Sequence, residues 1–124
     1  MEVLSSRIVL RPSDPERTHA FYGETLGLAV YRQFPGGKVY FLGNGLLEVS
    51  GRGEEGERRG LALWLQVRDL SDALAELALA GVPIVRGPRR EPWGLHEAWI
   101  ADPDGVRIVL VEVPEGHPLR SDPR

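Results

Sequence analysis

The sequence predicts an α+β domain made of two like modules, each running β-α-β-β-β, and three observations predict it. Strand-length runs rich in Val, Ile, Leu and aromatics alternate with two stretches of helical periodicity. Each helical stretch opens behind an aspartate that follows a strand. A glycine-rich charged segment divides the pattern in half.

In the first half, strands are expected at Arg7–Arg11, Ala29–Phe34, Lys38–Leu42 and Leu46–Val49, bounded by Gly, Pro and Asn. A helix interrupts them. Asp14 is its N-cap, Pro15 supplies a preset φ at the first helical position, Glu16 meets the positive helix end, and Gly27 closes it. The stretch 51–60 (GRGEEGERRG) has no apolar anchor and reads as a solvated connector. After it come a strand at Leu61–Val67 and a helix from an Asp69 or Ser71 cap to Gly81, with Leu70, Ala73, Leu74, Leu77 and Ala80 at helical spacing. Strands at Pro83–Arg86, Leu95–Ala101 and Val106–Val113 complete the second half, the last two joined by the tight-turn sequence ADPDG. The modules therefore span about 5–50 and 61–114, with a tail at 115–124 that frays or packs on a partner subunit. A ferredoxin-like α+β sandwich shares many of these elements.

At 124 residues the chain is long enough to bury one core without staples. It has no cysteine, which removes disulfides, thiolate metal sites and cysteine nucleophiles and agrees with a reducing compartment. No leader pattern and no membrane-spanning run is present, so a cytoplasmic protein without membrane contact is expected. The net charge of -3, with arginines scattered among acids, argues against a nucleic-acid surface. Lysine occurs once, at Lys38, while arginine and proline abound, a balance compatible with a thermophile or a GC-rich genome. Walker, GxGxxG, GxSxG and HExxH templates are all missing.

The segments SDPERTHAFYGETLGL (Ser13–Leu28), EPWG (Glu91–Gly94) and ADPDGVRIVLVE (Ala101–Glu112), in this order, resemble the vicinal-oxygen-chelate superfamily of glyoxalases, bleomycin-resistance proteins and extradiol dioxygenases. The resemblance covers nearly the whole chain as a single domain. It implies two β-α-β-β-β modules forming a curved mixed sheet around a small-molecule cleft, with helices on the outer face. LALWLQVRDL together with EPWG looks closest to the bleomycin-resistance branch, whose members are short, acidic and dimeric.

Metal-dependent relatives hold one divalent ion through two histidines and two glutamates. Carried over by position, these ligands fall on Arg7, Glu48, Ala62 and Val109. Only Glu48 can coordinate a cation, and the permanently charged Arg7 repels one, so neither metal nor other cofactor is expected. The resemblance also implies that Arg7 and Glu48 converge. Their guanidinium–carboxylate contact would either fill an abandoned site or touch a ligand directly.

Strand alternation then assigns faces. Val9, Leu46, Trp64, Gln66, Arg107 and Val111 join the four ligand positions on the open face. Ile8, Leu10, Leu47, Val49, Leu61, Leu63, Leu65, Ile108 and Leu110 form the core with Phe21, Leu74 and Leu77. Candidate ligand-binding residues are Arg7, Glu48, Trp64, Gln66, Trp93, Trp99 and Arg107. For the tryptophans, core or interface packing competes with ligand stacking. His19 is expected to be exposed or capped, and His96 and Glu97 to point to opposite faces.

The leading expectation is a metal-independent binding protein, a homodimer that sequesters an aromatic or cationic compound such as an antibiotic. The alternative is a lyase, isomerase or dioxygenase of the same superfamily that uses Glu48 as a base or an atypical metal site.

Overall fold

The computed structural model describes residues 1–56, 58 and 60–121; positions 57 and 59 of the connector and 122–124 of the tail lie outside the described residues. The strands are β1 (Ile8–Leu10), β2 (Val30–Phe34), β3 (Gly37–Leu42), β4 (Gly45–Ser50), β5 (Ala62–Gln66), β6 (Arg86–Arg90), β7 (His96–Ala101) and β8 (Arg107–Glu112). The helices are α1 (Pro15–Ala20), which runs into a π-helical turn at Phe21–Thr25, and α2 (Leu70–Leu79). A 3-10 turn spans Pro118–Ser121.

Each module builds its own four-stranded mixed sheet, ordered β1-β4-β3-β2 in the first and β5-β8-β7-β6 in the second. The pairs β1–β4 and β5–β8 are parallel and the others antiparallel. This is the expected α+β arrangement. The chain divides into two compact units, Met1–Glu57 with Asp102–Asp104, and Arg58–Ala101 with Gly105–Arg124.

In the first unit, Asp14 caps α1 by accepting from the Arg17 amide, and Pro15 stands in the first turn, as the sequence predicts. The helix then widens: the Leu26 amide bonds back to the Phe21 carbonyl, five residues away. Tyr22 of this turn is buried, as are Tyr40, Leu10, Leu47 and Val49 of the sheet. The Tyr22 hydroxyl donates to Asp102 at 2.8 Å, and the Ser13 amide donates to Asp104 at 3.1 Å. Part of the connector is fixed rather than free, because the Gly53 amide donates to the Pro12 carbonyl at 2.8 Å.

In the second unit the cap of α2 is Asp69, which accepts from the Asp72 amide; Ser71 lies inside the helix. Glu112 accepts from the Leu70 amide and satisfies another orphan donor of that terminus. Leu70 and Leu77 of the helix and Leu63, Ile108 and Leu110 of the sheet are all buried, and α2 packs on β7 and β8.

Several expectations change. The strand placed at Pro83–Arg86 lies at Arg86–Arg90, on the sheet edge, where a bulge between Arg86 and Arg89 accommodates Pro88. Leu61 is exposed, because it precedes β5 instead of sitting within it. Ile8, Leu65, Phe21 and Leu74 are only half-buried. Val111 keeps its expected face but is not open there: it is wholly buried and packs with Leu95 and Val113. The tail does not simply fray, since His117 Nε2 lies 3.1 Å from the Trp93 carbonyl oxygen.

Candidate functional site

The register of the first sheet sets Val9, Glu48 and Val39 side by side on one face. Two positions along, the same alternation adds Arg7 and Arg11 at the ends of β1 and Ser50 at the end of β4. All converge on one carboxylate. Arg7 Nη1 donates to Glu48 Oε1 at 3.0 Å, the Ser50 hydroxyl donates to Glu48 Oε2 at 2.6 Å, and Arg11 Nη1 stands 3.7 Å from Oε2. Arg11 also bonds the Ser50 hydroxyl. The expected Arg7–Glu48 contact is present, and it is the core of a four-residue cluster. Arg11 is i+4 from Arg7 on an extended strand and Ser50 is i+2 from Glu48, so alternation alone carries the signal that places both there.

These partners fix the charge of Glu48. The Ser50 hydrogen bond, opposed by desolvation and reinforced by Arg7 and then Arg11, holds its carboxyl below the usual carboxylate range. It is therefore an anion and a weak base, with a donor on each oxygen. The donor chemistry does not suit a divalent ion, because two permanently charged guanidiniums lie beside the carboxylate of Glu48. Ala62 and Val109, the other two positions implied by the family resemblance, carry no donor atoms. Among the described residues no group of three or more His, Cys, Asp or Glu side chains is placed to hold a metal.

In the second sheet the corresponding face carries Ala62, Arg107 and Ala101 on one rung and Trp64, Val109, Trp99 and Arg86 on the next. Trp64 is 50% exposed and Gln66 is exposed beyond it, so neither is packed away within this unit. The Trp99 ring has the Arg86 guanidinium 3.9 Å and the Arg107 guanidinium 4.2 Å from its centroid, close enough for cation–π attraction. Trp93 is exposed, and its indole N–H donates to the buried Glu97 at 2.7 Å.

One buried group was absent from the sequence-based candidates. Glu91, within EPWG, is buried and bonded by Arg86 and by Arg89, the latter at 3.1 Å. Burial pushes its carboxyl up, but hydrogen bonds from Arg89 and Arg86 outweigh that and hold it below the usual range. His19 is neither exposed nor a cap: it is half-buried, with Nδ1 2.7 Å from the Tyr40 hydroxyl. His96 and Glu97 do face opposite ways, the former toward Glu112 at 3.8 Å.

Against known proteins, the model of the Glyoxalase/Bleomycin resistance protein/Dioxygenase superfamily matches residues 5–110. No curated protein matches the sequence. Among solved structures, a glyoxalase/bleomycin resistance protein/dioxygenase from Nocardioides superposes with a TM-score of 0.78 at 18% identity, covering 94% of this chain and 87% of that one. A lactoylglutathione lyase from Agrobacterium tumefaciens gives 0.70 at 17% identity, covering 90% and 94%. TioX from Micromonospora sp. ML1 gives 0.71 at 20% identity, covering 86% and 94%. At such identities the likeness is one of fold. No helix among the described residues is long and apolar enough to cross a membrane.

Proposed function

Because the chain belongs to the glyoxalase/bleomycin-resistance/dioxygenase superfamily, we propose that it is a metal-independent member that binds a small aromatic compound, an antibiotic being one such ligand, without transforming it. The observation that carries this reading is the cluster around Glu48. The one carboxylate among the four positions at which metal-dependent relatives hold their ion is paired with Arg7 and Arg11 and held as a weak base chiefly by Ser50. Binding, by contrast, needs only a receptive surface, and the half-exposed Trp64 and the exposed Trp93 supply one. Of the two ligand chemistries expected from sequence, aromatic and cationic, the arginines on both open faces favour the aromatic one. We assign the activity to a homodimer, supported by the exposed Val9 and Phe41 on the open face of the first sheet, a surface suited to a second copy.

Elemental analysis of the protein purified without chelator tests the first half of this reading. No stoichiometric divalent ion is expected, and an ion retained by the wild type but lost in Glu48→Ala overturns it. Calorimetric titration with aromatic compounds, a bleomycin-type glycopeptide among them, tests the second half. Absence of both heat and melting shift across the panel overturns binding. Light scattering at micromolar concentration reads the oligomeric state, and a monomer removes the dimer from the assignment.

A further inference from the structure

We propose that the open face of the second sheet receives a planar aromatic carboxylate, with Arg107 taking the carboxylate and Trp64 the ring. This choice of ligand charge rests on the binding reading above.

The placement of Arg107 is the starting point. Its cross-strand neighbours on either side are Ala62 and Ala101, whose methyl groups leave the guanidinium unscreened. The side chain is exposed, has no ion-pair partner among the described residues, and lies over the face of Trp99. Arg86 lies over the same ring, but it is held by Glu91 together with Arg89. Glu97, the other carboxylate of this face, is buried and takes the Trp93 N–H. Neither acid pairs with Arg107: Glu91 is shared by two guanidiniums and Glu97 is turned to Trp93, so the three arginines here outnumber the two carboxylates. A cationic ligand would be repelled there, and an anion would be drawn in.

The hydrogen-bond inventory points the same way. Trp99 Nε1 and Arg86 Nε are buried without an acceptor among the described residues, and both belong to the stack that Arg107 completes. Unmatched buried donors are uncommon in folded proteins and costly. This corner of the face is rich in donors and short of acceptors. A carboxylate has two oxygens with about four lone-pair sites and fits a guanidinium fork in bidentate fashion. One rung along from Arg107, Trp64 exposes half its indole to the same face and offers a flat apolar surface to whatever carries the acid.

The test uses the full chain and three probes of one shape and different charge: 2-naphthoate, 2-naphthamide and 2-naphthylmethylammonium, titrated by calorimetry and tryptophan fluorescence. Naphthoate is expected to bind about tenfold or more tightly than the amide, as a charge-assisted hydrogen bond implies, and the ammonium probe least well. The preference for the acid disappears in Arg107→Gln and is partly kept in Arg107→Lys, which retains the charge without the fork. Trp64→Ala weakens acid and amide alike. Unchanged thermal melting of these exposed-site variants shows that they are folded. Amide or ammonium binding as tight as naphthoate overturns the inferred charge while leaving an aromatic-binding protein. A preference for the acid that survives Arg107→Gln overturns the assignment to this face. No binding of any probe at millimolar concentration overturns this inference and the aromatic reading together.

Discussion

Arg7 and Glu48 are joined across the parallel β1–β4 pair by a 3.0 Å bond from Nη1 to Oε1, made diagonally, since Val9 is the residue directly opposite Glu48. The carboxylate is the hub: it also takes the Ser50 hydroxyl and lies beside Arg11, whereas Arg7 sits at the rim with about a third of its side chain exposed.

That asymmetry predicts unequal costs. Glu48→Ala removes the anion between two guanidiniums and should destabilise the protein by about 1–2 kcal/mol. Arg7→Ala leaves Glu48 with Ser50 and Arg11 and should cost less than about 1 kcal/mol, as partly exposed ion pairs do. The double variant should be no worse than Glu48→Ala alone, because removing Arg7 relieves the repulsion that the first change creates. Urea denaturation midpoints measure all three, and equal costs for the single variants would refute a carboxylate-centred cluster.

Acid stability should follow from the two paired carboxylates. Glu48 and Glu91 both have folded-state values lowered from an ordinary 4.5. An unfolded chain then takes up protons first as pH falls, so the stabilisation is fully present above about 4.5 and is lost as pH drops through the folded values. Denaturation series from neutral to about pH 2 should show that loss in the wild type and a shallower one in Glu48→Gln and Glu91→Gln. Identical slopes in all three proteins would mean that neither carboxylate is stabilised by its partners.

The sequence made much of this legible, and the exceptions have physical causes. Asp14 with Pro15, and the alternation that sets Glu48 and Val9 on one face, are local signals that the tertiary structure leaves intact. The sixth strand was displaced because RGPRR offers neither apolar alternation nor an unbroken run of donors; an edge position and a bulge make both unnecessary. Burial of Val111 depends on Leu95, remote in sequence, which periodicity cannot report. Nor does periodicity report that Glu91 is buried and bonded by Arg86 and Arg89 of the edge strand.

The buried pair of Tyr22 and Asp102 gives a third expectation. Burial first, and the Asp102 carboxylate next, drive the Tyr22 phenol far above its ordinary value, so it remains a donor. Tyr22→Phe deletes that donor while Asp102 still accepts from the Asp104 amide, at a cost of about 1 kcal/mol. Asp102→Ala strands a buried hydroxyl and leaves the Asp104 amide without its acceptor, and should cost about 2–3 kcal/mol. The order of the two melting shifts is the decisive reading, and Tyr22→Phe being the worse variant would contradict it.

Gly37 links the fold to the Glu48 cluster. It pairs with Phe34 on one side and Ser50 on the other, and a Cβ there would lie 2.6 Å from Ser50 Cβ and 2.8 Å from the Phe34 ring. Neither neighbour can yield without moving a strand or an aromatic ring, so Gly37→Ala should cost about 1–3 kcal/mol by overpacking. The displaced Ser50 can no longer hold its 2.6 Å bond to Glu48, the leading cause of that carboxyl's lowered value. A carbon-13 titration of the Glu48 carboxyl should therefore move toward 4.5 in Gly37→Ala. Ser50→Ala should reproduce that movement without the steric cost, which separates the electrostatic effect from the packing one. A Gly37→Ala protein that melts lower but titrates like the wild type would show that the glycine serves the sheet alone.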